Sequence, residues 1–153
     1  HGSIENYQSG DKITKEEFFS LECHMIVPAA LELQIDENIA KSLQCEVIVE
    51  AANGPTTMEA EKIIKDRGIY LLPDILANSG GVVVSYYEWL QNHRHEYWSK
   101  EDILIRLDRW MSQTFDRVTQ FAQQEGLSLR DACYILAIKR IEQVYMSRGV
   151  LNC

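Results

Sequence analysis

The spacing of apolar residues changes near residue 80, and the change divides the chain into two halves of different local structure. Before it, short apolar runs at residues 25–27, 46–49 and 69–72 predict strands, about twenty residues apart. Between them, residues 36–43 and 57–67 carry apolar side chains at three- and four-residue steps, so the order is β-α-β-α-β. A parallel strand pair needs a crossover long enough to hold a helix. Apolar strands alternating with helices therefore predict an α/β class: a partial Rossmann-like fold with a parallel sheet of at least three strands, followed by C-terminal helices.

The helix ends carry chemical marks. Asp36 is placed to cap the first crossover helix, and Thr56 followed by Glu59 has the form of a capping box for the second. Gly68 stands where a left-handed residue closes that helix. After residue 80 every pattern is helical. Residues 82–92 continue from Gly80 and Gly81. Ser99 with Asp102 opens a helix over residues 99–124, with a stripe of Ile103, Leu107, Trp110, Met111, Phe115, Val118, Phe121 and Ala122. Gly126 breaks it. Ser128 with Asp131 opens the last helix, whose predicted buried face is Ala132, Ile135, Leu136, Ile138, Ile141, Val144 and Tyr145, closed by Arg148 and Gly149. Tyr86, Tyr87 and Trp89 read as core aromatics on a helix facing a sheet. Residues 1–12 are polar and read as a loop or strand tail, and Thr14 with Glu17 starts a short helix toward residue 21. The chain is then one domain: a leading segment 1–20, a β-α-β-α-β core 21–79, and helices 80–153.

Composition narrows the partners. With 153 residues and 46% hydrophobic content the chain can bury one core. Its formal net charge of -8 disfavours nucleic acid and anionic lipid as partners. No apolar run reaches the roughly 18 residues that a bilayer crossing needs, and no basic-then-apolar leader opens the sequence, so the expectation is no membrane partner and a cytoplasmic location. An upstream targeting peptide would direct it to mitochondria instead. Cys23, Cys45, Cys133 and Cys153 are scattered without a C-x-x-C pair, which fits reduced thiols. Cys23 beside His24, and His93 near His95, have the wrong spacing for a compact tetrahedral metal site.

Ligands of parallel α/β sheets bind where the strands end, at their carboxyl side. The loops there are rich in small residues, which let a flat ligand approach the backbone. Gly80 and Gly81 place backbone N–H donors at a helix start, which suits an anionic group. Ser85, about one turn on, either adds a directed donor or bonds a nearby carbonyl. Asn53 and Asn78, each close to glycine, also read as turn residues tolerating left-handed geometry.

Four segments together carry a family likeness. Pro28-Ala29-Ala30-Leu31-Glu32, Ala52-Asn53-Gly54-Pro55-Thr56-Thr57, Pro73-Asp74-Ile75-Leu76-Ala77-Asn78-Ser79-Gly80-Gly81-Val82 and Val84-Ser85-Tyr86-Tyr87-Glu88-Trp89 resemble the glutamate dehydrogenases in order and separation, and the likeness continues through Arg130-Asp131-Ala132. It implies a cofactor cleft for NAD or NADP, with NAD favoured by the run from Ser85 to Trp89. It further implies that Ala29 and Ala30 line the adenosine side, Asn53 lies by the nicotinamide ribose and Asn78 bonds the nicotinamide carboxamide. Val82 and Ser85 would contact the side chain of L-glutamate, or of 2-oxoglutarate in the reverse direction. The implied reaction is oxidative deamination of L-glutamate to 2-oxoglutarate and ammonia.

The resemblance also says what to expect elsewhere. The strand, G-x-G-x-x-G turn and acidic residue that open a dinucleotide fold are not in this sequence, nor is the family's substrate domain with its catalytic lysine and aspartate. No catalytic residue is assigned here, and the chain alone is expected to be inactive. A leucine, valine or phenylalanine dehydrogenase shares the fold but usually has an apolar residue where Ser85 stands. A noncatalytic nucleotide-binding or structural module is the alternative from another class. A homo-oligomer is expected, and the stripe at Ile135, Ile138 and Ile141 predicts self-association.

Overall fold

A computed structural model describes residues 10–149 of the chain; the polar residues 1–9, and Cys153, lie outside the described residues. Three parallel strands, β1 (Met25–Ile26), β2 (Val47–Val49) and β3 (Tyr70–Leu72), form one sheet in the order β1-β2-β3. Met25 lies opposite Val47, Ile26 opposite Ile48, and Ile48 opposite Leu71. The helices α1 (Lys15–Phe19), α2 (Glu37–Ser42) and α3 (Met58–Asp66) precede and link them. Phe19, Ile35, Ile39, Leu43, Ala60 and Ile64 close on Ile48 as one core.

After β3 come α4 (Asp74–Ala77), α5 (Gly80–Arg94), α6 (Lys100–Glu125) and α7 (Leu129–Ser147). Leu76, Val118, Ala122, Ala132 and Cys133 make a second core, against which Leu72 packs, whereas the adjacent Leu71 packs into the first. Consecutive strand residues point to opposite faces, so β3 serves both cores. No described helix is long and apolar enough to cross a membrane.

Most caps form as the sequence marks them. Asp36 accepts from Asn38 and Ile39, Ser99 from Asp102 and Ser128 from Asp131, and Thr14 with Glu17 makes a full capping box, although α1 stops at Phe19. Gly68 has φ +71, the left-handed value that favours glycine. The second crossover helix departs from expectation: its cap is Thr57, which accepts from the Ala60 N–H, and not Thr56. Thr56 is held in a parallel bridge to Ile35, with the Ile35 N–H on Pro55 O and the Thr57 N–H on Ile35 O. That extended pairing moves the helix start one residue later, and Thr56 is buried instead.

The predicted stripes are only partly covered. Ala132 and Cys133 are buried, but Ile138, Ile141, Val144 and Tyr145 are exposed, because α4 and β3 meet only the start of α7. Val118 and Ala122 of α6 are buried while Trp110 and Phe115 are exposed. Of the three aromatics on α5 only Tyr87 is core; Tyr86 and Trp89 turn outward and stack on each other, and Trp89 stacks on His93 one turn on. A helix presents one stripe to its neighbours, and Tyr87 occupies it.

Candidate functional site

The loops leaving the carboxyl ends of the strands meet in one open cleft of about 650 Å³. Ala30, Asn53, Asn78, Val82 and Ser85 line it together with Ala51, Ala52 and Gly81. Five of the six predicted site residues are thus neighbours; Ala29 lines the adjoining groove with Met25 and Val27 instead.

Main-chain bonds fix the walls. The Glu50 N–H donates to Leu72 O, and the N–H groups of Ala51 and Ala52 both donate to Pro28 O, so the loop after β2 is tied to both neighbouring strands. Gly54 turns at φ +53 and its carbonyl accepts from the Leu33 N–H at 2.9 Å. Neither asparagine supplies left-handed geometry. Asn78 has φ -98, and among the described residues the non-glycine positive-φ positions are Leu33 and His95. Glycine next door makes the turn, which leaves the amides for other work.

Those amides face each other. Asn78 Nδ2 donates to Asn53 Oδ1 at 2.7 Å and to Ala51 O at 3.2 Å. A carbonyl can only accept, so the Ala51 contact sets which end of the Asn78 amide is nitrogen. The pairing leaves Asn78 Oδ1 as an acceptor and Asn53 Nδ2 as a donor for a ligand.

The start of α5 is less open than its glycines predict. Asn78 and Ser79 are themselves right-handed, so α4 runs into α5, and the Gly81 N–H already donates to Asn78 O at 3.2 Å. Ser85 is exposed and its hydroxyl donates to Gly81 O at 3.1 Å, the carbonyl-bonded state of its two readings. A Cβ on Gly81 would meet nothing within 4 Å, so the space beside it belongs to the cleft.

Behind the cleft lies a charge cluster that periodicity does not reveal. Arg130, near the start of α7, donates from Nε to Glu61, from Nη1 to Asp74 and from Nη2 to Glu50, each at 2.7 Å. Glu50 is fully buried, and one of its oxygens, Oε1, has no partner. Asp74 Oδ2 accepts the Gly54 N–H at 2.8 Å, and the Asp74 N–H donates to Glu50 at 2.9 Å. Burial works against charge on Asp74, yet the N–H groups of Gly54 and Ile75, and then Arg130, bring its carboxyl below the ordinary range. Burial likewise works against charge on Arg130, but Glu50 first and Glu61 next push its pKa up. The one hint in the sequence is the Arg130-Asp131-Ala132 segment; an acidic residue at a strand end, such as Glu50, reads otherwise as surface. Among the described residues no group of three or more His, Cys, Asp or Glu could hold a metal ion.

Comparison with known proteins shows the family and the fold. Residues 1–149 match the family described as Glutamate/Leucine/Phenylalanine/Valine dehydrogenase. The cryptic catabolic NAD-specific glutamate dehydrogenase of Bacillus subtilis (strain 168) is 42% identical over 139 residues, 91% of this chain and 33% of that protein. The chain therefore spans about a third of the length of this curated relative. Among solved structures, the hetero-hexameric glutamate dehydrogenase of Thermus thermophilus in its Leu-bound form superposes with a TM-score of 0.88 at 32% identity, covering 96% of this chain and 35% of that one. The glutamate dehydrogenase of Peptoniphilus asaccharolyticus does so at 0.76 and 45% identity, covering 80% and 31%.

Proposed function

The chain belongs to the glutamate/leucine/phenylalanine/valine dehydrogenase family, and we propose that it forms the nicotinamide wall of the cleft in an NAD-dependent enzyme that deaminates L-glutamate. The observation that carries this reading is the Asn53–Asn78 pair, set in one cleft with Gly81, Val82 and Ser85. A carboxamide has both a donor and an acceptor end. Asn78 Oδ1 would accept from its NH2 group, and Asn53 Nδ2 would donate to a ribose hydroxyl. Gly81 leaves room for a flat ring, and Ala30 continues the wall toward the adenosine side.

Bound there, NAD would supply the hydride acceptor for the α-carbon of glutamate. The residues of this chain orient; none is assigned to proton transfer, and the acid–base groups are expected on the remainder of a longer polypeptide. Ser85 would release Gly81 O and donate to the distal carboxylate of the substrate. A hydrogen bond to a charged acceptor is stronger than the neutral one it replaces. Val82, largely exposed in the cleft, would pack on the substrate's methylenes. Ser85 also favours glutamate over leucine, whose side chain offers the hydroxyl no partner.

Turnover by the full-length protein tests the assignment. Glutamate is expected as the preferred substrate, and Ser85→Ala is expected to raise KM for glutamate with little loss of stability. A full-length protein that prefers leucine would overturn the substrate, and turnover of NAD and glutamate by the 153-residue chain alone would overturn the claim that it is incomplete. We further propose assembly into a homo-oligomer, and a reducing, cytoplasmic location that the free thiols of Cys23, Cys45 and Cys133 support.

A further inference from the structure

We propose that Arg130 is a positioning residue for the cofactor side of the cleft, setting Asn53, and with it the Asn53–Asn78 pair, through the carboxylate of Asp74. The proposal rests on the reading of the cleft given above, and it names a residue that does not line it.

The guanidinium has three donor edges, and each meets a different element. Nη2 holds Glu50 at the end of β2, Nε holds Glu61 of α3 and Nη1 holds Asp74, the first residue of α4. A planar fork with fixed donor directions imposes orientation on all three carboxylates, which a flexible ammonium would not do. Arg130 is largely buried, with its side chain 19% exposed, so water does little to replace these bonds.

Asp74 carries that orientation into the cleft through its second carboxylate oxygen. Its Oδ1 accepts from Arg130, which leaves Oδ2 aimed at the Gly54 N–H, 2.8 Å away. Gly54 follows Asn53 directly and has a left-handed φ of +53. Asn78 is placed by the backbone of α4, whose Asp74 O accepts the Asn78 N–H at 3.0 Å, independently of the carboxylate. The carboxylate therefore sets the Asn53 side of the pair against an Asn78 fixed by its helix, and the two amides meet at 2.7 Å.

Without the guanidinium, Glu50, Glu61 and Asp74 would face one another as three carboxylates with no cation among them. They would separate, and the Asp74 oxygen would leave Gly54. Arg130 is 56 residues from Asp74 and 80 from Glu50 in the sequence, so α7 must dock before the loop is set.

The test compares the 153-residue chain with its Arg130→Lys, Asp74→Asn and Glu61→Gln variants. Glu61→Gln weakens the same guanidinium cluster but does not touch Gly54, so it separates positioning from mere stability. The readouts are thermal midpoint, hydrogen exchange at the Gly54 amide well below that midpoint, and affinity for nicotinamide mononucleotide by NMR titration. Arg130→Lys and Asp74→Asn are expected to speed Gly54 exchange and weaken the nucleotide by at least about tenfold, with Glu61→Gln within about twofold on both at a similar loss of midpoint. Equal effects from Glu61→Gln, or no effect from Arg130→Lys, overturn the proposal. If Arg130→Lys does not fold, Asp74→Asn decides by the same thresholds. A wild-type chain that ignores the nucleotide overturns the cofactor reading, and Gly54 exchange then decides the role of Arg130 by itself.

Discussion

Asn78 reaches Asn53 across 2.7 Å, and that single bond joins the loop after β2 to the junction of α4 and α5. Replacing Asn78 by aspartate would set a carboxylate against Ala51 O and Asn53 Oδ1, both acceptors. The expected result for Asn78→Asp is a loss of nicotinamide mononucleotide affinity of about 0.5–1.5 kcal/mol, the net worth of a solvent-accessible hydrogen bond. A titration in which Asn78→Asp binds as tightly as the parent chain would remove the pair from the cleft's function.

Gly81→Ala separates stability from binding. A Cβ there touches nothing within 4 Å and the residue lies in the first turn of α5, so alanine is expected to stabilise the fold by about 0.5–1 kcal/mol. The same methyl group would stand in the cleft. A urea midpoint that rises while nucleotide affinity falls is the expected pattern, and a rise in both would show that no ligand approaches Gly81.

Acid should act through Asp74. Its carboxyl is depressed in the folded state, so its contribution is complete above the ordinary carboxylate pKa of about 4 and is lost as the pH falls through the lower folded value. Urea midpoints are expected to hold between roughly pH 7 and 5 and to drop below about 4. Asp74→Asn should start lower and fall less steeply. Parallel curves for the two proteins would mean that other carboxylates carry the acid response.

Arg130→Met would leave Glu50 buried without its cation, and is expected to cost about 3–5 kcal/mol or abolish folding. The pair Lys41–Glu37, at 3.8 Å with both side chains more than half exposed, provides the contrast. Lys41→Ala is expected to cost under about 0.5 kcal/mol in the same denaturation assay.

Ile138 and Ile141 stand 62% and 57% exposed on α7, beside the exposed Val144 and Tyr145, and this apolar stripe is predicted to associate with its copy on a second chain. Sedimentation at tens of micromolar, roughly the range of weak interfaces, is expected to show a concentration-dependent rise in mass that the double substitution Ile138→Lys and Ile141→Lys abolishes. A clean monomer of the parent chain would refute this.

Much of the fold could be read from local pattern. Strand positions, the two crossovers and the caps at Asp36, Ser99 and Ser128 depend on neighbours within about one helical turn, and all formed where expected. The Thr56 cap failed for a nonlocal reason, the bridge to Ile35. The predicted burial of Tyr86, Trp89 and Ile138 failed for another, since a stripe is buried only if something packs on it. The cleft was legible because its residues lie in loops that a parallel sheet must bring to one edge.

The amino-acid sequence by itself determined the parallel α/β order, the helix ends and the loops that hold Asn53, Asn78 and Ser85, because backbone preference and side-chain spacing act over a few residues. Only the tertiary structure decided that Arg130 would gather Glu50, Glu61 and Asp74, and that Asn78 would turn its nitrogen inward and leave an oxygen for a ligand. A hydrogen bond requires two particular atoms to come within about 3 Å in the right direction. For groups 56 or 80 residues apart, that depends on how every element between them has packed.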